Sequence, residues 1–162
     1  AWPFDNPEFA DLHDLLGPEK TWDFYMRELL AAVRTQPGDI LAHFYVPGLF
    51  GHWPPDELLG DYEDQILDAC AQRGMAVELN TRFLYRPYRE DRKTKYLQIH
   101  ERFISKAVAR EVGIAIGSDA HSPGDQARAF ELVLPLLDRA GVRELAFPVR
   151  GTLTRVSTLS GS

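Results

Sequence analysis

Ile114-Ala115-Ile116-Gly117-Ser118-Asp119-Ala120-His121-Ser122-Pro123-Gly124-Asp125 is the stretch on which the fold turns. Its first four residues are apolar or small and suit a short buried strand; the glycine ends the run and polar residues take over. Ser122 is placed to cap a helix N-terminus, with Pro123 suited to the first turn. The helix so predicted has Phe130, Val133, Leu134 and Leu137 as its apolar face and stops at Gly141. Val142 to Val149 then reads as another strand. Ser, Thr and Gly dominate beyond Arg150, so residues 150–162 read as a frayed tail.

The same alternation runs upstream. Ile99, Phe103, Ala107 and Val108 mark a helix ending at Gly113. Met75 to Asn80 is a strand candidate, preceded by a helix through Leu58, Leu59, Tyr62, Ile66, Leu67 and Cys70 that Gly74 closes. Asp39 to Phe44 is a further apolar run. Ahead of it, Gly17-Pro18 opens a helix with Trp22, Tyr25, Met26, Leu29, Leu30 and Val33 at helical spacing, ended by Pro37-Gly38. Helices alternating with short apolar strands mean βα units on a mostly parallel sheet, and about four units fit. A complete (β/α) barrel needs about 250 residues. The expectation from 162 residues is therefore a small open α/β sheet or roughly half of a barrel.

Composition narrows the function. At 44% hydrophobic and 26% charged the chain is an ordinary globular sequence, with no apolar run long enough to span a membrane. A single cysteine, Cys70, excludes an intrachain disulfide and a cysteine-based zinc site, fits a cytoplasmic setting, and lies on an apolar helix face that suits the core. The net charge of −6 argues against a general nucleic-acid or anionic-membrane binder. From Arg82 to Lys95, however, six basic residues face two acidic ones, a local +4 that leaves −10 for the remainder. A cationic loop on an acidic body suits a small anionic ligand, with Arg forks matching phosphate oxygens; the alternative is a solvated loop with no ligand. The opening Ala1-Trp2-Pro3-Phe4-Asp5-Asn6-Pro7 has no Met, basic region or apolar signal core and reads as a loop inside a domain, so a fragment is expected.

In parallel α/β architectures ligands bind beyond the carboxyl ends of the strands. His43 falls at the end of the first strand candidate, Glu78 and Asn80 at the second, and Asp119 and His121 just past the third. Three strands thus deliver metal-type ligands to one rim. In extended backbone, residues two apart point the same way, so Asp119 and His121 can converge on a cation such as Zn, Mn or Fe. Equally, Asp119 can cap the following helix and His121 can be a surface residue. Glu78 in Val77-Glu78-Leu79-Asn80 is either a supporting group behind a ligand or a core carboxylate bonded to backbone or to Arg82. His13, His52 and His100 have weaker claims: His52 lies in a Pro/Gly/Trp loop that can overhang a site, and His100 reads as solvent-facing beside Glu101. Neither a phosphate-binding glycine motif nor a Gly-x-Ser-x-Gly elbow occurs.

Gly117-Ser118-Asp119-Ala120-His121-Ser122-Pro123, with Glu78-Leu79-Asn80-Thr81 and Leu41-Ala42-His43 before it, resembles the PHP family of metal-dependent phosphoesterases, above all its histidinol-phosphatase branch. The opening Trp2-Pro3-Phe4-Asp5 is also similar to a loop of that branch, and the likeness runs to about Val149. The resemblance implies a distorted (β/α)7 barrel, of which residues 1–149 would be the C-terminal portion, about four βα units. It implies two or three divalent metals (Zn, Mn or Fe) in the complete domain and hydrolysis of L-histidinol phosphate, in histidine biosynthesis. By the same likeness His43, Asp119 and His121 would be metal ligands, with Asp119 and His121 catalytic. Arg82 and Arg86 would hold phosphate, and Glu78, Asn80 and Thr81 would support the site. Two departures stand out: the family's opening His-x-His pair is not in this sequence, and Tyr45 stands where an acidic residue usually follows the strand-end histidine. The chain alone is accordingly expected to be incomplete and inactive, and to self-associate through exposed barrel edges. The alternatives are a non-catalytic PHP-like domain binding a phosphorylated ligand or protein partner, and a nuclease-type PHP domain, which the acidic charge disfavours.

Overall fold

The computed structural model describes Phe4, Asn6, Glu8 and residues 10–85 and 93–158. Three parallel strands, β1 (Ile40–Leu41), β2 (Ala76–Asn80) and β3 (Ile114–Gly117), form one sheet in the order β1-β2-β3. Ile40 pairs with Ala76, Val77 with Ile114 and Asn80 with Gly117, so the carboxyl ends of β2 and β3 lie side by side. Helices α1 (Ala10–Leu16) and α2 (Pro18–Thr35) precede β1; α3 (Asp56–Arg73) joins β1 to β2. The short α4 (Arg82–Tyr85) and the long α5 (Lys93–Ala109) join β2 to β3, and α6 (Phe130–Arg139) follows.

The helices form where their apolar spacing predicts. In α2, Pro18 occupies the first turn, and Trp22, Tyr25, Met26 and Val33 are buried along one face. They meet Leu59, Tyr62 and Ile66 of α3 in one continuous core, with the Trp22 and Tyr62 rings stacked at 6.1 Å. Gly74 ends α3 in the left-handed conformation, φ 66°, its N–H reaching the Cys70 and Ala71 carbonyls. Phe103 of α5 closes the core, stacked at 5.5 Å on Phe44 from the loop after β1. Each fully buried side chain of this set stabilises the fold by about 1.5–3 kcal/mol relative to exposure. Cys70 is buried among them, its thiol pushed up to about 11 by desolvation.

Beneath the apolar layer α3 and α5 are cross-linked by charge. Glu63 is fully buried and accepts from Arg102 Nε at 2.8 Å and Nη2 at 2.7 Å, and from the Tyr45 hydroxyl at 2.9 Å. Lys106 and Arg110 extend the bridge to Asp64 and Asp68. Tyr45 therefore turns inward, and burial, then the Glu63 charge, holds its phenol well above the ordinary range.

Four expectations need correction. The fourth strand, β4 (Glu144–Val149), does not extend the parallel sheet; it pairs antiparallel with β5 (Thr152–Ser157), in the segment expected to fray. The two-residue turn Arg150-Gly151 has φ 51° and 76°, the double positive φ that lets a tight hairpin match strand twist. Ser122 does not cap a long helix: Pro123–Asp125 forms a single 3-10 turn, and α6 begins only at Phe130, with Leu134 exposed. His100 is buried, not solvent-facing, its Nδ1 lying 2.7 Å from the Tyr96 carbonyl oxygen. His52, in the loop after β1, stacks on buried His13 at 5.5 Å and pairs with Asp14 at 3.1 Å. Among the described residues no helix is long and apolar enough to cross a membrane.

Candidate functional site

The carboxyl ends of the three strands are linked by a continuous polar chain. His43 lies two residues past β1 with φ 30°, a conformation that non-glycine residues adopt at a cost. Its backbone N–H donates to Glu78 Oε2 at 2.9 Å, tying the β1 loop to β2. The same carboxylate accepts from Asn80 Nδ2 at 3.2 Å. It can lean over β3 because Gly117 has no side chain: a Cβ there would collide with the Glu78 carboxylate. Asn80 Oδ1 in turn accepts the backbone N–H of Arg82 at 2.9 Å, fixing the start of α4.

Arg82 completes the chain. Its Nη1 donates to the Asp119 carbonyl at 2.9 Å, lies 3.4 Å from Asp119 Oδ2, and touches His121 Nδ1. Asp119, at φ 47°, is a second residue in the left-handed region beside a strand end. His121 Nδ1 is also 2.8 Å from the Asp119 carbonyl oxygen and 3.9 Å from Asp119 Oδ1, while its ring is 60% exposed. Thr81, fully buried, anchors the rim: its N–H reaches the Gly117 carbonyl at 2.8 Å and its hydroxyl the Arg128 carbonyl at 2.7 Å.

Among the expected residues, Glu78, Asn80, Arg82, Asp119 and His121 thus come together, with His43 attached through its backbone. Arg86 lies outside the described residues. Ring contacts of Tyr85 and Arg128 escape a reading of the sequence: the Tyr85 hydroxyl donates to the Ser118 carbonyl at 2.7 Å, and the Arg128 guanidinium lies over the Tyr85 ring at 5.0 Å. Only tertiary packing joins residues so far apart in sequence.

The donor types at Asp119 and His121 suit a divalent transition metal. No group of three His, Cys, Asp or Glu side chains capable of holding a metal ion forms among the described residues. The cation that Asp119 holds, with His121 beside it, is the Arg82 guanidinium. Its presence leaves the two side chains engaged with an internal positive charge.

A rim of anion-matching and proton-transfer groups at the carboxyl end of a parallel sheet defines a candidate small-ligand site of the α/β type. No family model matches the chain. It is 29% identical over 147 residues to a probable histidinol-phosphatase from Deinococcus radiodurans, an alignment covering 91% of this chain and 53% of that protein. The chain therefore spans about half the length of the curated relative it matches. This similarity supports a histidinol-phosphatase-like relationship at the level of the family.

Proposed function

We propose that the chain contributes the Arg82–Asp119–His121 rim to a phosphomonoester phosphatase of histidinol-phosphatase-like specificity, within a distorted (β/α)7 barrel. The observation that carries this reading is the similarity to a probable histidinol-phosphatase over nine-tenths of the chain. All of the Arg82 contacts to Asp119 and His121 run through Nη1, which leaves the rest of the guanidinium fork for phosphate oxygens. Asp119 orients both partners. A water attacks phosphorus as the P–O bond to the alcohol breaks; His121, exposed enough to reach a substrate, donates a proton to the departing alkoxide oxygen and regains one from the attacking water. Self-association through open sheet edges belongs to the same proposal.

The Zn, Mn or Fe that the resemblance implies for His43, Asp119 and His121 would need Arg82 to release its partners, and no step above passes through a metal. The test is an assay of the intact protein against small phosphomonoesters, histidinol phosphate included. Arg82→Ala and His121→Ala should each lower kcat/KM by about 10²–10³-fold. Unchanged turnover in both would remove the rim from the reaction, and faster cleavage of nucleic-acid fragments than of any monoester would change the substrate class. A non-catalytic domain that binds a phosphorylated ligand is the second reading, favoured by the engagement of Asp119 and His121 with Arg82. It predicts saturable binding of the ester without release of phosphate.

A further inference from the structure

Consecutive carbonyls at the end of β3 and in the loop after it are taken by donors from one short stretch. The Thr81 N–H reaches the Gly117 carbonyl at 2.8 Å, the Tyr85 hydroxyl donates to the Ser118 carbonyl at 2.7 Å, and Arg82 Nη1 donates to the Asp119 carbonyl at 2.9 Å. Helix α4 and the residue before it thus act as a template for the backbone that carries Asp119 and His121. The Ser118 carbonyl belongs to the same planar peptide unit as the Asp119 N–H. Rotation of that unit about the Asp119 N–Cα bond is the φ of Asp119, and this φ is 47°, where a residue with a Cβ is strained. Such a conformation persists only where its surroundings over-determine it.

Tyr85 is itself held. The Arg128 guanidinium lies over its ring at 5.0 Å, and Arg128 Nη1 donates to Asp125 Oδ1 at 3.1 Å. Asp125 is almost fully buried and also accepts from Ser122 Oγ, beside His121, at 2.9 Å. Thr81 Oγ1 returns the far end of the loop to the template by donating to the Arg128 carbonyl at 2.7 Å. The contacts close a circuit from Tyr85 through Ser118, Ser122, Asp125 and Arg128 back to the Tyr85 ring. Inside it Ala127 and Ala129, at φ 55° and 62°, are two further strained positions.

We propose that Tyr85 is a positioning residue of the rim: its hydroxyl, by holding the Ser118 carbonyl, fixes the turn that sets the Asp119 carboxylate and the His121 ring against Arg82. The hydroxyl proton is spent on that carbonyl, so Tyr85 acts through Asp119. The kinetic consequence rests on the phosphatase reading, whereas the ordering of the turn does not depend on turnover.

Tyr85→Phe removes the hydroxyl and keeps the ring on which Arg128 stacks. Backbone amide relaxation in the intact protein should show the turn loosening, the order parameters of Asp119 and His121 falling from about 0.85 to about 0.6. Those of β2 and α5 should hold, which verifies the fold of the variant. Arg128→Gln, at a side chain that is half-exposed, withdraws the brace instead and should loosen the same amides to a smaller extent. With a small phosphomonoester, Tyr85→Phe should lower kcat by about tenfold and change KM by less than about twofold, because Asn80 fixes the Arg82 backbone independently. In an Arg82→Ala background the same substitution should lower kcat by less than about twofold, since the group that the turn faces is gone. A hydroxyl with a merely structural role would cost the same factor in both backgrounds. Unchanged order parameters in Tyr85→Phe, a loosened turn with unchanged kcat, or equal kcat losses with and without Arg82 would each overturn the proposal. Absence of hydrolysis by the wild type would sink the phosphatase reading and leave the relaxation data to decide: a loosened turn keeps the positioning role, and a rigid one overturns it.

Discussion

Arg82 joins the Asn80, Asp119 and His121 interactions of the rim, and its role separates two states of the site. A guanidinium held by the Asp119 carboxylate and in contact with His121 neutralises the charge that a divalent cation would otherwise meet. Arg82→Ala should therefore raise the affinity of the protein for Zn or Mn by about tenfold, equivalent to roughly 1.4 kcal/mol. Calorimetric metal titration of wild type and variant measures this, and equal affinities would show that Arg82 does not compete for Asp119 and His121. Asp119 and His121 stand out in the sequence because they fall just past a predicted strand end, and Arg82 because it opens the cationic loop. Glu78 was legible only as an alternative: its bond to the His43 backbone depends on the missing Cβ of Gly117, a contact between two strands that local pattern does not encode. Tyr45 illustrates the same limit. Its place two residues after His43 suggested a site position, but the buried Glu63 beneath it draws the hydroxyl into the core.

Among the elements, α3 and α5 depend on each other most. Glu63 carries a full charge-pairing set inside the protein, and removal of one partner leaves a buried carboxylate incompletely compensated. Arg102→Met should cost about 3 kcal/mol, at the lower end of the range for broken buried pairs, because Lys106 Nζ remains 3.4 Å from Glu63. The midpoint of urea unfolding reads this out, and a loss below about 0.5 kcal/mol would class the pair with ordinary surface bridges. Helices α2, α3 and α5 were legible because their apolar periodicity, Pro18 start and Gly74 stop all agree. The β4–β5 hairpin was not. Thr152, Thr154 and Val156 do alternate with other residues, and Arg150-Gly151 spans a two-residue turn, yet a composition rich in Ser, Thr and Gly imitates a disordered tail. The start of α6 failed for a different reason: Ala127 and Ala129 adopt positive φ, which alanine does not advertise.

At the scale of the whole molecule, the sequence pattern conveys a parallel α/β sheet correctly, and the order β1-β2-β3 places the candidate residues on one rim. The pattern is silent on where buried polar groups go, and these set how the fold responds to pH. Burial lowers the pKa of His100, partly offset by its contact with the Tyr96 carbonyl, and burial followed by the neighbouring His52 lowers that of His13. An imidazole whose folded pKa lies below the ordinary 6.5 binds its proton more readily when the chain is unfolded. Its contribution to stability is therefore fully present above about pH 6.5 and is lost as pH falls towards and through the folded value. The thermal midpoint should consequently drop between pH 7.5 and 5.5, a window in which most carboxylates stay ionised and cannot account for the change. His100→Gln keeps a donor for the Tyr96 carbonyl but removes the titration, so its midpoint should fall less over the same interval. Parallel decreases in wild type and variant would show that protonation of His100 is not coupled to unfolding, and the residual slope in His100→Gln measures what His13 and the remaining groups contribute.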